Sequence, residues 1–346
     1  MIMIEPGDVI NNCYHVIQEL GSGTFGKTFE VEDRIARDNK VLKILKLDNF
    51  SEATVKDKIL QLFEQEYDVL RELKHPGIPR VKAGGYIKFL CPHTHDILHG
   101  LVMEKIEGHN LKKWLEQNQR IPNTVQAIDW LKQLIDILDH IHSRDYLHRD
   151  IKLDNIMLKP DGQLVLIDFG AVKECSQQFQ KTIIPNTKIG AFGYSSPEQE
   201  SGRDLNHTSD FFALGRTFVH LLTGIFPGRL VQDSRTSKLI WRHEASQVSE
   251  ELKDLIDNLM EYERRNRPQS NQKILQAIKE VERKLDPPVR PQFPAIIVFM
   301  SVILNFIFLN LLAMGFTLGI GWKVLFVVIV CVISGFLFFP LMQSLF

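Results

Sequence analysis

Asp150, Asn155 and Asp168 are the residues whose types and spacing best suit chemistry in this chain. The Asp150 carboxylate can take a proton from a hydroxyl, and Asn155 and Asp168 offer the hard oxygen ligands that Mg²⁺ prefers. They sit in Tyr146 to Asn155, Y-L-H-R-D-I-K-L-D-N, and in D-F-G, which opens thirteen residues after Asn155. Lys152 adds a cation two residues beyond Asp150. A base, a cation and two metal ligands are the tools of phosphoryl transfer, where a protein mainly positions reactants and neutralises spreading charge. A solvated Asp/Lys pair in a polar loop is the plainer reading, and the order and spacing of so many groups speak against it.

Such groups need a frame. Leu164 to Ile167 is a β-like apolar run that delivers Asp168. Asn123 to Ser143 carries Val125, Ile128, Leu131, Leu134, Ile135, Leu138 and Ile141 at helical spacing, an amphipathic helix leading into the Asp150 stretch. Upstream, Tyr14 to Leu20 reads as a strand running into G-S-G-T-F-G, where Gly21, Gly23 and Gly26 let backbone N–H groups approach a polyphosphate. A hairpin turn is the alternative for these glycines. A dinucleotide fold is disfavoured, because K-T-F-E-V after Gly26 continues as a strand. Lys40 to Leu47 is a further strand with Lys43 and Lys46 as rival phosphate ligands. Lys56 to Leu73 is helical, with Glu64 and Glu66 as rival partners for that lysine. Gly85 to Leu90 and Gly100 to Ile106 read as a hairpin joined by a polar loop. Cys91, His93, His95 and His99 there match no standard zinc spacing.

The ordered set resembles the protein-kinase signature, H-R-D-L-x-x-x-N plus D-F-G, with Ile151 in place of Leu. The resemblance covers about residues 14 to 285 and implies an α+β, bilobal protein-kinase fold, with a β-rich N-lobe and a helical C-lobe. It implies MgATP as cosubstrate, with Mn²⁺ as an alternative ion. Within V-A-I-K it favours Lys43, and within F-x-R-E-A-x-x-L it favours Glu66. It puts Asp150 and Lys152 with them as catalytic residues and Asn155 and Asp168 on the metal. Gly21, Gly23, Gly26, Thr28, Val41, Lys43, Met103, Glu104, Ile106 and Met157 become nucleotide contacts, Met103 as gatekeeper, and Gly108 marks the exit to the larger lobe. Lys152 points to serine/threonine acceptors.

The resemblance further implies a Glu198–Arg267 ion pair and a structural Asp210. It makes Thr187 an activation-loop phosphosite, paired with Arg149 and Lys173, with Thr182 next in line. Thr28, Val41, Leu153 and Ala191 depart from the family's usual Val, Ala, Pro and Thr. Of these Ala191 bears most on acceptor geometry, because the usual hydroxyl braces Asp150 and Lys152. No phosphoryl-transfer group is lost, so an active enzyme ranks above a pseudokinase scaffold, and protein acceptors rank above a lipid or small molecule. The look of I-P-R and G-Y-x-x-P-E-Q is similar to bacterial eukaryotic-like kinases, cyanobacterial ones included.

Charge is distributed unevenly. The chain is 24% charged overall, yet residues 295–346 hold a single charged side chain, Lys323. Residues 295–314 and 324–342 are therefore expected to be two transmembrane helices, a hairpin following a proline-rich linker, 286–294. Residues 1–13 read as an N-terminal extension. Arg283, Lys284 and Arg290 place the kinase domain in the cytoplasm by the positive-inside bias. Asn305 and Asn310 suggest self-association, so the expected partners are ATP, protein substrates, the lipid bilayer and a second copy. Nucleic acid is excluded: net charge is −1 and no basic block is interleaved with aromatics. Four scattered cysteines without C-x-x-C spacing read as reduced thiols.

Overall fold

The computed structural model describes residues 3–285 apart from 24–25, 49, 51, 119–120, 171–172 and 175–192. Thr182, Thr187, Ala191, the linker and both expected spans lie outside the described residues. Among the described residues no helix is long and apolar enough to cross a membrane.

Alternation decides the N-terminal lobe. Its strands are β1 (Val9–Ile10), β2 (Tyr14–Ser22), β3 (Gly26–Asp33), β4 (Asp38–Leu45), β5 (Tyr86–Leu90) and β6 (Ile97–Glu104), hydrogen-bonded in the order β1-β2-β3-β4-β6-β5. Phe29, Val31, Leu42, Ile44 and Val102 fill one face with Ile4 and Ile10, so the opposite face presents Thr28, Val41, Lys43 and Met103. Residues before Tyr14 are thus part of this lobe, contributing a strand and two core side chains. Lys46 falls beyond the end of β4, which removes it from that face.

The expected loop at residues 91–99 is shorter than its histidines suggest. Ile97, Leu98 and His99 pair with Leu90, Phe89 and Lys88 and belong to β6. Its candidate ligands diverge: the Cys91 thiol donates to the Met3 carbonyl, His93 meets Asp8, and His99 meets Tyr86. No group of three or more metal-ligating acids, cysteines or histidines occurs among the described residues.

Helix α1 (Ala53–Glu72) buries Ile59, Phe63, Glu66 and Leu70, one stripe at i, i+4, i+7 and i+11. Its apolar side joins a core that continues through Leu101, Ile78 and Phe169 into the helical lobe. The chain crosses over by β7 (His109–Asn110) and α2 (Leu111–Asn118). Gly108 allows the crossing, since its φ is +118° and a Cβ there would strike the Leu158 carbonyl.

Helix α3 (Thr124–His142) starts at Asn123, whose side chain accepts from the Gln126 amide, and stops at Ser143. Its buried face is wider than a single stripe and includes Trp130 and Ile137. Val125, expected in the core, is 72% exposed in the first turn. Strands β8 (Tyr146–Leu147), β9 (Ile156–Leu158), β10 (Leu164–Leu166) and β11 (Lys173–Glu174) follow, β9 pairing with β10 and β8 with β11. Then come α4 (Pro197–Glu200), α5 (His207–Thr223), α6 (Glu250–Leu259) and α7 (Asn271–Leu285). Helix α5 is buried along nearly its whole length and ends at Gly224 in the left-handed conformation.

Burial holds five imidazoles, His99, His140, His148, His207 and His220, below the ordinary histidine pKa, His220 at about 4. They fold uncharged, whereas the unfolded chain takes up protons near pH 6.5. Their contribution is therefore complete above about pH 6.5 and is lost as pH falls toward the folded values. Urea midpoints should be lower at about pH 5.5 than at about pH 7.5, and equal midpoints would contradict this assignment.

Candidate active site

The segment between β8 and β9 must hold Asp150 still, and the sequence supplies the means from a distance. Asp210, in the first turn of α5, is buried and accepts hydrogen bonds from the backbone N–H of His148 (2.9 Å) and of Arg149 (2.8 Å). His142 adds a third contact at 2.9 Å. Burial alone would raise the pKa of Asp210, but His142 and the Arg149 amide hold it below the usual carboxylate value. Arg149 has φ +66°, a left-handed conformation costing about 1–3 kcal/mol for a non-glycine residue, and the bonds to Asp210 offset it. A further tie fixes the loop backbone: Gln199 Nε2 donates to the Arg149 carbonyl (2.9 Å), while the Thr217 hydroxyl, shared with the Ala213 carbonyl (2.7 Å), lies 3.2 Å from the Ile151 carbonyl.

Asp150 is then aimed by its own neighbours. Lys152 Nζ is 2.7 Å from Asp150 Oδ2, and Asn155 Nδ2 donates to the same oxygen and to the Asp150 carbonyl, each at 2.8 Å. Because the nitrogen of the Asn155 amide is committed to Asp150, its oxygen is left for a ligand. The β9–β10 hairpin carries Asp168 to the same place. Ile156 pairs with Leu166, and the Ile167 N–H donates to the Asn155 carbonyl (2.8 Å).

Across the cleft, Lys43 Nζ lies 2.7 and 2.9 Å from the two carboxylate oxygens of Glu66 and 2.9 Å from Asp168 Oδ1. Glu66 is 3% exposed, so docking of α1 is what brings it to Lys43. Burial disfavours the charge on Lys43, but Asp168 and Glu66 outweigh it and hold its pKa above the usual lysine value. Asp168 is pulled down to about 2, chiefly by Lys43. Burial pushes Glu66 upward although Lys43 opposes it. Asp168, at φ +65°, keeps a side chain 45% exposed with one oxygen bound to Lys43. An ionised carboxylate beside an amide oxygen is a donor set that fits Mg²⁺.

This constellation has counterparts. The family described as "Protein kinase domain" matches residues 14–278. The chain belongs to the protein kinase family. It is 34% identical over 290 residues to serine/threonine-protein kinase C of Synechocystis, covering 80% of this chain and 51% of that one. It is 32% identical over 293 residues to serine/threonine-protein kinase PknA of Nostoc, covering 83% and 50% respectively. The chain thus spans about half the length of these curated relatives. A crystal structure of the Mycobacterium tuberculosis PknI kinase domain, in a mutant form, shares the fold with a TM-score of 0.59. Sequence identity is 22%, and the match covers 80% of this chain and 98% of that one.

On the nucleotide side of this kinase cleft, Val41 and Met103 are cross-strand neighbours, and Thr28 pairs with Lys43. All are half-buried. Met157 lies on β9 opposite Asn110, at the exit from the hinge. The Glu104 N–H is taken by the Arg80 carbonyl (2.9 Å), so Glu104 can offer a base only its carbonyl. Gly21 and Gly26 flank the glycine turn, with Gly21 paired to Thr28; a Cβ on Gly26 would strike the Ile44 carbonyl.

Two groups of expected site residues therefore meet: Lys43 with Glu66 and Asp168, and Asp150 with Lys152 and Asn155. The rival Glu64 is exposed and accepts from Tyr86. Thr217 and His142 support the catalytic loop without any mark in their local sequence, whereas Gln199 closes the G-Y-x-x-P-E-Q run, which gives no sign of its tertiary partner. Leu153, in the family's Pro position, is fully buried.

Glu198 and Arg267 form the expected staple, with Arg267 Nη1 2.6 Å and Nη2 3.0 Å from the carboxylate and both side chains buried. Removing one partner strands the other charge, so Glu198→Ala should cost about 3–5 kcal/mol of stability. Replacing both with apolar residues should cost less. A urea titration showing Glu198→Ala within about 1 kcal/mol of the parent would contradict the assignment.

Proposed function

We propose that the protein is a membrane-anchored serine/threonine protein kinase that moves the γ-phosphoryl group of MgATP to hydroxyls of protein substrates. The single observation that carries this reading is the convergence of Lys43, Glu66 and Asp168 beside a fixed Asp150. Lys43 neutralises the α and β phosphates, and Glu66 keeps the lysine there. Asp150 accepts the proton of the acceptor hydroxyl as its oxygen bonds to phosphorus and the bridging bond to ADP breaks. Lys152 offsets charge on the transferring group and keeps Asp150 aimed. Asn155 and Asp168 would hold the metal, which neutralises phosphate charge when bound. The names of the cyanobacterial relatives support serine and threonine as acceptors.

The uncharged runs 295–314 and 324–342 support anchoring, and Arg283, Lys284 and Arg290 support a cytoplasmic catalytic domain. Thr187, three residues before Gly190, is the residue we assign to autophosphorylation.

One assay tests the set. Washed membranes holding the full chain should retain it after alkaline extraction and, with labelled ATP and Mg²⁺, phosphorylate protein serine or threonine, with label on Thr187. Asp150→Asn should lower transfer about 10²–10⁴-fold. Equal labelling by the variant would remove the mechanism, label only on lipid or small molecules would remove the protein acceptor, and release by alkali would remove the anchor.

A further inference from the structure

Glu30 is a buried carboxylate on the nucleotide face of the sheet that the mechanism does not use. It follows Thr28 by two residues on β3 and stands opposite Val41 in the β3–β4 register, so its side chain leaves the same face as both. It is 7% exposed. Three donors converge on it from three segments: Gln18 Nε2 of β2 (2.8 Å), Asn39 Nδ2 of β4 (2.8 Å) and Lys105 Nζ (3.0 Å). Lys105 sits between Glu104 and Ile106, the two hinge residues whose backbone the adenine would meet, and Glu107 also holds its ammonium group at 2.9 Å.

A buried carboxylate is costly unless paired and hydrogen-bonded, so Lys105 cannot swing away without stranding Glu30. The two amides occupy remaining lone pairs and keep the carboxylate in one position. Burial works against the Glu30 charge, but Gln18, Lys105 and Asn39 outweigh it and hold the carboxyl below its ordinary pKa. The other flank of the hinge is tied as well, since the Arg80 N–H donates to Glu104 Oε2 (3.1 Å) while the Glu104 N–H donates to the Arg80 carbonyl. Between these ties Ile106 makes no backbone hydrogen bond among the described residues, which leaves its N–H to a ligand.

We propose that Glu30 and Lys105 are positioning residues for the nucleotide base: their ion pair locks hinge residues 104–106 against β3 and so sets the gap into which adenine fits. The inference rests on the reading of this cleft as a nucleotide site and deepens it. Neither residue touches the phosphates, so the lock acts on base binding and leaves the transfer step alone.

The test is equilibrium binding of MgADP to the full chain, together with KM and kcat for MgATP. Glu30→Gln and Lys105→Met should each weaken MgADP binding and raise KM about tenfold, with kcat changed less than about twofold. The double variant should be no worse than either single one, because both remove the same contact. Lys105→Arg should recover most of the affinity, whereas a merely structural role would lower the melting temperature and leave KM in place. Parent-like binding in both single variants, or effects that add in the double variant, would overturn the lock. Should the parent bind MgADP yet transfer no phosphate, the kinase reading fails while the binding data still judge the lock. Should the parent transfer phosphate while the variants bind as it does, the lock alone fails. A parent that binds no nucleotide would overturn both.

Discussion

Charge held out of water is the constraint on which the rest of this cleft depends. Lys43 is drawn into the space between the lobes, where an unpaired ammonium would lose its proton or leave. It stays because Glu66 and Asp168 reach it from two different elements. Glu66 can do so only with α1 packed by Ile59, Phe63 and Leu70, and Asp168 only with the β9–β10 hairpin closed. Packing of the lobes and assembly of the site are thus one event. The net value of such an ion cluster for stability is small. Its value here lies in geometry, since three charges can be satisfied together in few arrangements.

The helical lobe solves a different problem, that of holding a loop in a strained conformation. Arg149 and Asp168 both carry positive φ, and neither is glycine. Asp210 receives two consecutive amides of the catalytic loop from the first turn of α5, where the helix dipole favours a negative charge. Helix α5 cannot shift, because almost every residue in it is buried and the Glu198–Arg267 pair is packed beside it. Rigidity of the core is transmitted to Asp150 through backbone hydrogen bonds, leaving the carboxylate itself for chemistry.

Much of this is legible in the residue order. The loop holding Asp150 and Asn155, the Asp168 strand and the capped α3 helix are local features with strong turn and periodicity signals, and they fall where expected. Glu66 can be separated from Glu64 on physical grounds: counting Ile59 and Phe63 into the apolar stripe puts Glu66 inside it. A stripe drawn through Leu62, Val69 and Leu73 also contains Glu66, four residues after Leu62, and leaves Glu64 on the far side. The histidines at 93–99 mask the apolar alternation of β6, so a reading by polarity makes the loop too long. Val125 follows the helical period yet lies in a first turn that faces water. Thr217 and His142 support the loop across long sequence separations with no local motif to mark them, and Gln199 lies in a marked run whose contact with Arg149 is fifty residues away.

As parts of a kinase cleft, Lys43, Glu66 and Asp168 should make one metal-dependent nucleotide site. The most direct measurement is calorimetric titration of ATP into the full chain and into its Asp168→Asn variant, each with and without Mg²⁺. The parent should bind ATP more tightly when Mg²⁺ is present, and the variant should lose that gain while still binding the nucleotide. An undiminished Mg²⁺-dependent gain in Asp168→Asn would contradict the account.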